Sequence, residues 1–223
     1  MKRPKIILAC LLRSASALDV NRKPVMDGYI SLRQAKRSDV SSISRVNLAT
    51  LPENYNHQFY VNHIAQWPDL ALVAEHVPSE QAVSSGGSIM RKINPFNGHD
   101  PNRSSGKVIG YVLGKVEGHA TTGISRSAAN QKTNGHVTSI AVLSDYRGLR
   151  IGSELLAQLH HTMVVNHRSS KCCLNVRMSN RPATRLYSDK MGYEVAKVTK
   201  GYYNDGEDAF FMKKQLSEYD VLG

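Results

Sequence analysis

The chain has 223 residues, 41% hydrophobic and 21% charged, which is enough for one domain with a core and outside the composition of disordered chains. No apolar run approaches the ~18 residues of a membrane helix, and three cysteines (Cys10, Cys172, Cys173) are too few for a disulfide framework or a thiolate zinc site. Lys plus Arg number 29 against 18 Asp plus Glu, a formal charge of +11; this suits an acidic partner such as nucleic acid, ribosome or a phosphorylated cofactor, or is simply a basic surface.

In chain order, residues 1–25 read as a separable N-terminal extension. Lys2, Arg3 and Lys5 precede apolar Ile6 to Leu12, followed by Arg13 and the small residues Ser14 to Ala17. That pattern fits a short targeting peptide for organelle or secretory import. Met26 offers the alternative, an internal start just before the first strand that would leave a cytoplasmic protein. A domain over residues 26–217 follows, with a tail at 218–223. Tyr29 to Ala35 alternates and predicts a strand. Arg37-Ser38-Asp39 caps a helix to about Leu48, with Val40, Ile43, Val46 and Leu48 near helical spacing. Leu51 to Tyr55 breaks it, and a second short helix carries Phe59, Tyr60, His63 and Ile64. Trp67-Pro68 stops that helix before a strand at Leu70 to Glu75. Residues 77–106, rich in Ser, Gly, Asn and Pro, read as a polar insertion between two strands. Val108 to Val116 is the second of these strands, and another polar insertion covers about 119–134.

Gly135 to Leu156 is the most informative stretch. A buried strand from His136 to Leu143 is followed by a polar turn, Ser144 to Gly152, and a helix opening near Arg150. The turn places Arg147, Gly148, Arg150 and Gly152 where the helix presents unpaired N–H groups and the positive end of its dipole, which suits a diphosphate; the same pieces also make a plain strand-turn-helix. Leu155, Leu156 and Met163 share a face of the helix, and His160 and His161 sit on the turn beyond, in surface or packing roles. Lys171 to Arg177 predicts the next strand, with Cys172 and Cys173 facing opposite ways as structural thiols. Pro182 to Met191 predicts a helix ended by Gly192. Tyr193 to Tyr203 and Ala209 to Leu216 are the last strands, around a turn at Asn204 to Glu207. The order βααβββαβαββ predicts an α/β fold with a mixed, mostly antiparallel sheet of about seven strands and helices on both faces.

Arg147-Gly148-Leu149-Arg150-Ile151-Gly152 resembles motif A of the GNAT acetyltransferases, whose signature after a strand is Arg/Gln-x-x-Gly-x-Gly/Ala. Arg150 stands at the signature's first glycine, and Gly148 lies two places earlier. Backbone N–H groups bind the pyrophosphate, so Arg150 keeps the cradle while adding a side chain at a close approach. The resemblance implies the GNAT fold. It also implies acetyl-CoA held along Ile140, Ala141 and Val142 and at Arg147, Gly148, Leu149, Arg150, Ile151, Gly152 and Ser153. Asn175 to Tyr187, with Met191-Gly192-Tyr193, resembles motif B of the same family. By that resemblance Asn180 contacts the cofactor, and the Tyr187 hydroxyl lies near the sulfur, suited to protonating the departing thiolate. Read alone, the two are a capping Asn and a half-buried helix Tyr.

Leu51-Pro52-Glu53-Asn54-Tyr55 is similar to the peptide-binding loop of protein N-terminal acetyltransferases. Tyr202 to Ala209, with Phe211-Met212-Lys213, is similar to the final hairpin of the catalytic subunits of type A N-terminal acetyltransferase complexes. With Trp67-Pro68 and His136 to Ile140, the resemblance covers about residues 29–216. It implies acetyl transfer from acetyl-CoA to the α-amino group of a protein N-terminus, with the peptide bound by Leu51, Pro52, Glu53, Tyr55, Tyr202 and Tyr203. An α-amino group has a pKa of about 8, so a modest base suffices. Glu53 is that base or only orders its loop; His136 holds a water or is structural; Arg177 orients catalytic groups; Tyr203 closes the groove. Asn175 stands where a related family has a His, which points away from that family. The implied partners are a helical-repeat auxiliary subunit, meeting the first helix and the loop after it, and the ribosome, with no metal and no membrane. The rival readings are a lysine or small-amine acetyltransferase of the same fold, and a basic ribosome- or RNA-binding module on that scaffold.

Overall fold

The computed structural model describes residues 28–78, 106–118 and 133–217; the expected extension at 1–25, most of both insertions and the tail lie outside the described residues. β1 (Tyr29–Gln34) leads through a short 3-10 turn into α1 (Val40–Thr50) and α2 (His57–Gln66). Then come β2 (Ala71–Val77), β3 (Lys107–Glu117), β4 (Thr133–Val142), α3 (Ile151–His167), β5 (Ser169–Arg177), α4 (Arg181–Arg185), β6 (Glu194–Thr199) and β7 (Ala209–Gln215). The order is the one the periodicities predict. The strands form one sheet ordered β1-β2-β3-β4-β5-β7-β6. The β4–β5 pair, joined through α3, is parallel; the other five pairings are antiparallel.

Several boundaries differ from the sequence expectation; β2 runs on to Val77, the first residue of the expected insertion, and α1 to Thr50. Thr133 and Asn134 belong to β4. β6 stops at Thr199, because Lys200 to Tyr203 turn instead of extending; Asp208 fixes that turn by accepting from the Gly201 N–H at 2.9 Å. The helix expected over 182–191 is α4 followed by one π-helical turn, Leu186–Lys190, closed by the Met191 N–H on the Leu186 carbonyl at 3.1 Å. Gly192, at φ 70°, reverses the chain there.

Each face of the sheet carries its own core. On one side Leu155, Leu156, Leu159 and Met163 of α3 pack on Cys172, Leu174 and Val176 of β5. On the other, Ile43 and Val46 of α1 and Tyr60 and Ile64 of α2 pack on Val73, Tyr111 and Leu113. Gly114 and Gly135 let α3 lie close to the sheet: a Cβ would stand 2.7 Å from Leu159 Cδ1 at the first and 2.4 Å from Met163 Sδ at the second.

One irregularity positions the site. The β3–β4 register shifts between the pairs Leu113↔Ser139 and Gly114↔Val137, so Thr138 is an extra residue in β4. The bulge exchanges the faces of the strand: Val137 lies in the α3-side core, whereas Ala141 lies in the α1–α2 core. Just before the bulge, β4 also parts from β5. Their pairing ends at His136↔Cys173, although β4 continues to Val142 and β5 to Arg177. The sheet thus opens into a fork at its centre.

Candidate active site

A cleft of about 150 Å³ fills the fork. β4 contributes Thr138, Ser139 and Ile140 to its walls, and β5 contributes Leu174, Asn175 and Val176. Leu51, Pro52, Glu53 and Tyr55 of the α1–α2 loop cover one side of the mouth, and Tyr202 and Tyr203 of the β6–β7 loop cover the other. Asn180, Ala183 and Tyr187 line it from α4 and the turn after it. The α1–α2 loop is held at its far end by aromatic packing, with Tyr55 stacked on Phe59 at 4.1 Å and α2 capped by Asn56, which accepts from the Phe59 N–H at 2.8 Å.

Arg177, the last residue of β5, gathers the mouth together. Its Nε donates to Glu53 Oε1 at 2.7 Å, and one terminal nitrogen reaches Asp205 at 2.8 Å and Glu207 at 2.6 Å. The Tyr203 ring lies 4.1 Å from the guanidinium carbon. The final loop is shaped for this: Glu207 accepts from the Ser179 N–H at 2.8 Å, and the Tyr203 N–H donates to the Glu207 carbonyl at 3.1 Å. Burial opposes the Arg177 charge, but the hydrogen bonds to Glu53, Glu207 and Asp205 more than offset it and raise its pKa. Glu207 is held below the usual carboxylate range by its bonds to Ser179 and then Arg177. Asp205 is lowered by the Glu207 N–H and then Arg177. Three carboxylates around one guanidinium leave the mouth net negative.

The other expected catalytic residues meet in the same cleft. His136 lies at the fork's base with Nδ1 3.3 Å from Cys173 Sγ. Burial first, and then Lys115, lower its pKa, so it is neutral at pH 7. Tyr187 is buried on the opposite wall, and its burial raises the hydroxyl pKa, keeping it protonated. Asn180 does both things its position suggests: its Oδ1 caps α4, accepting from the Ala183 N–H at 3.2 Å, and the residue lines the cleft.

The expected cofactor residues divide. Ile140 is in the cleft, but the Ala141 side chain is buried on the α1–α2 side, and Ile151 is buried in the α3-side core. Val142, Arg147, Gly148, Leu149, Gly152 and Ser153 are not among the residues lining the cleft; Arg147, Gly148 and Leu149 lie in the turn that leads from β4 into α3, and Gly152 and Ser153 in the first turn of α3. Arg150 is the cap of α3 with φ 63° and ψ 8°, the left-handed conformation a glycine adopts freely, and no side chain caps the helix. Arg147 braces the turn by donating from Nε to the Val142 carbonyl at 3.1 Å. Thr138, Ser139 and Leu174 line the cleft without having been expected there. The signal for Thr138 and Ser139 is the bulge in β4, and for Leu174 the parting of β5 from β4; periodicity reveals neither.

Comparison with known proteins gives the family and the fold. The Acetyltransferase (GNAT) family matches residues 91–193. The N-terminal acetyltransferase A complex catalytic subunit ard1 of Schizosaccharomyces pombe is 34% identical over 188 residues, covering 84% of this chain and 86% of that protein. The structure of Chaetomium thermophilum Naa20 in complex with a bisubstrate analogue is similar at a TM-score of 0.59 and 25% identity, over 86% of this chain and 88% of that one. That of the NatB acetyltransferase complex bound to CoA and MES is similar at 0.57 and 26% identity, over 83% and 99%. With its forked sheet, uncapped helix start and two-sided mouth, the chain belongs to the GNAT family of acetyltransferases, among the protein N-terminal acetyltransferases.

Proposed function

We propose that this protein transfers the acetyl group of acetyl-CoA to the α-amino group of protein N-termini. The observation that carries the reading is the grip of Arg177 on Glu53, Asp205 and Glu207, which ties the two loops at the mouth together over the open fork. A narrow opening closed from both sides admits a chain end more readily than the side of a folded chain. Its net negative charge draws an ammonium group.

The residues present fit acetyl-CoA. Beyond His136 the β4 edge facing β5 is not paired to it, which leaves backbone groups for the amides of the pantetheine arm, and the N–H groups at the start of α3 suit its pyrophosphate. Acetyl-CoA supplies an acyl carbon activated as a thioester. Glu53, oriented by Arg177, takes a proton from the α-ammonium, directly or through a water at neutral His136. The amine nitrogen then attacks the thioester carbonyl carbon; the C–N bond forms and the C–S bond breaks. Tyr187, protonated in its buried wall, gives the thiolate its proton; the second amine proton, lost as the amide forms, replaces it on the Tyr187 oxygen, and Glu53 releases its proton to solvent. Tyr202 and Tyr203 hold the incoming peptide backbone against the α1–α2 loop.

The relative in S. pombe is named as the catalytic subunit of a complex. By that likeness a helical-repeat auxiliary subunit docks on α1, where Leu48 is 65% exposed. The charge of +11 favours ribosomal RNA and so a cytoplasmic site of action. The test is acetyl transfer to a panel of peptides with free N-termini and to Nα-blocked peptides with an internal lysine, alone and with an auxiliary subunit. Transfer to the α-amino group is expected. Transfer confined to lysine, or none in either condition, overturns the reading.

A further inference from the structure

Inside the α1–α2 core runs a polar chain that the proposed chemistry does not use. Asn47 of α1, fully buried, donates from Nδ2 to the Tyr111 hydroxyl of β3 at 2.8 Å. That hydroxyl lies 2.7 Å from Ser139 Oγ of β4, and Ser139 lines the cleft one residue past the bulge. Apolar residues surround the chain: Ile43, Val46, Tyr60, Val73 and Leu113 share the cluster with Tyr111. The arrangement carries a cost, because Asn47 Oδ1 is buried without a partner. A Leu–Phe–Ala core of similar shape would avoid it.

Its position suggests what the cost secures. The last turn of α1 closes on Asn47, whose carbonyl accepts from the Leu51 N–H at 2.8 Å, and the chain leaves there directly into Pro52 and Glu53. Glu53 is then held to β5 by Arg177. The loop is therefore fastened twice, to the β5 arm of the fork through Arg177 and to the β4 arm through Asn47, Tyr111 and Ser139. We propose that Asn47, Tyr111 and Ser139 are positioning residues that set the acceptor loop against β4, so that the amine carried by the loop faces the acyl group lying along that strand. The inference rests on the proposed function, since it concerns the acceptor side of that reaction. Packing alone brings α1 to the sheet; the hydrogen bonds fix where along the sheet it sits, because they are directional and dispersion contacts are not.

The experiment compares Tyr111→Phe, Ser139→Ala and their double variant in full-chain protein, with steady-state kinetics for an N-terminal peptide and for acetyl-CoA, and melting temperature as a check on folding. Each single variant should raise the peptide KM about five- to tenfold, equivalent to about 1–1.4 kcal/mol, with the acetyl-CoA KM within about twofold of wild type. The double variant should be no worse than Tyr111→Phe alone, because both remove the same bond. Ser139→Thr, which keeps the hydroxyl, should recover most of the loss. An unchanged peptide KM in folded Ser139→Ala overturns the proposal, as does an equal rise for both substrates or strict additivity in the double variant. A wild type that acetylates no N-terminal peptide defeats the proposed function first, which the wild-type control distinguishes from failure of the positioning role alone.

Discussion

At the scale of single residues, Arg177 and Glu53 carry the acceptor side. Glu53→Gln keeps shape and removes the carboxylate, so turnover should fall by ~10²-fold or more with acetyl-CoA affinity intact; stopped assays and calorimetry read the two separately. Arg177→Lys puts a point charge where a planar fork reaches three carboxylates and a ring, so kcat/KM for peptide should drop by about tenfold or more while acetyl-CoA binding holds. If Arg177→Lys is as active as wild type, the clasp across the mouth is ornamental to catalysis. Arg150 gives the opposite kind of prediction. It sits at φ 63°, where a non-glycine residue is strained by about 1–2 kcal/mol. Arg150→Gly should leave stability unchanged or raise it by up to ~1 kcal/mol, the greater flexibility of the unfolded glycine offsetting part of the relief. Denaturant unfolding measures it, and a clear loss would show that the Arg150 side chain contributes to the fold.

Among the elements, α3 and its glycine contacts decide how the cofactor side is built. α3 approaches the sheet over Gly114, and a larger side chain there meets Leu159 and Met163. Gly114→Val should therefore destabilise by about 1–3 kcal/mol through overpacking, seen as a lower denaturant midpoint. At the start of the same helix, the Cβ direction of Gly152 meets Leu186 Cδ2 at 3.3 Å. Gly152→Trp must therefore either push that contact or swing over the N–H groups at the helix start, and acetyl-CoA affinity should weaken more than about tenfold. Unchanged affinity in a folded variant would place the pyrophosphate elsewhere.

For the whole molecule, pH links fold and site through buried histidines. His63 donates from Nε2 to the Gly114 carbonyl at 2.8 Å, and burial depresses its pKa; His136 is depressed by burial and then by Lys115. A depressed folded pKa means that the unfolded chain binds protons first. The stability from these groups is thus complete above the ordinary histidine value of about 6.5 and is lost as pH falls through their folded values. Asp39 adds to the same trend at lower pH, since the Arg33 and Lys36 hydrogen bonds overcome its burial and hold it below the usual range. Melting temperature should fall between pH 7 and 5, with unfolding taking up to about two protons, and fall again below pH 4. A melting temperature that is flat or rises from pH 7 to 5 would contradict the neutral state assigned to His136.

The sequence by itself determined the order of elements, because the alternation in Tyr29 to Gln34 and the helical spacing of Val40, Ile43 and Val46 are properties of neighbours in the chain. It also singled out Glu53, Arg177, Tyr187 and Tyr203, since each stands in or beside a short stretch that resembles a motif of the acetyltransferase family; read alone, Tyr187 is only a half-buried helix residue. Tertiary structure alone decided how those residues meet. Glu53 and Arg177 are 124 positions apart, and their contact depends on β5 pairing with β7 and on the α1–α2 loop folding over the fork. Asp205 and Glu207, a plain polar turn in the sequence, become partners of Arg177 only there. The bulge at Thr138 was also illegible: a register shift is a relation between two strands, and nothing in β4 alone says which residue of β3 it faces. From that one extra residue follow the exchange of faces, the placing of Ser139 between the core and the cleft, and the different surroundings of Ile140 and Ala141.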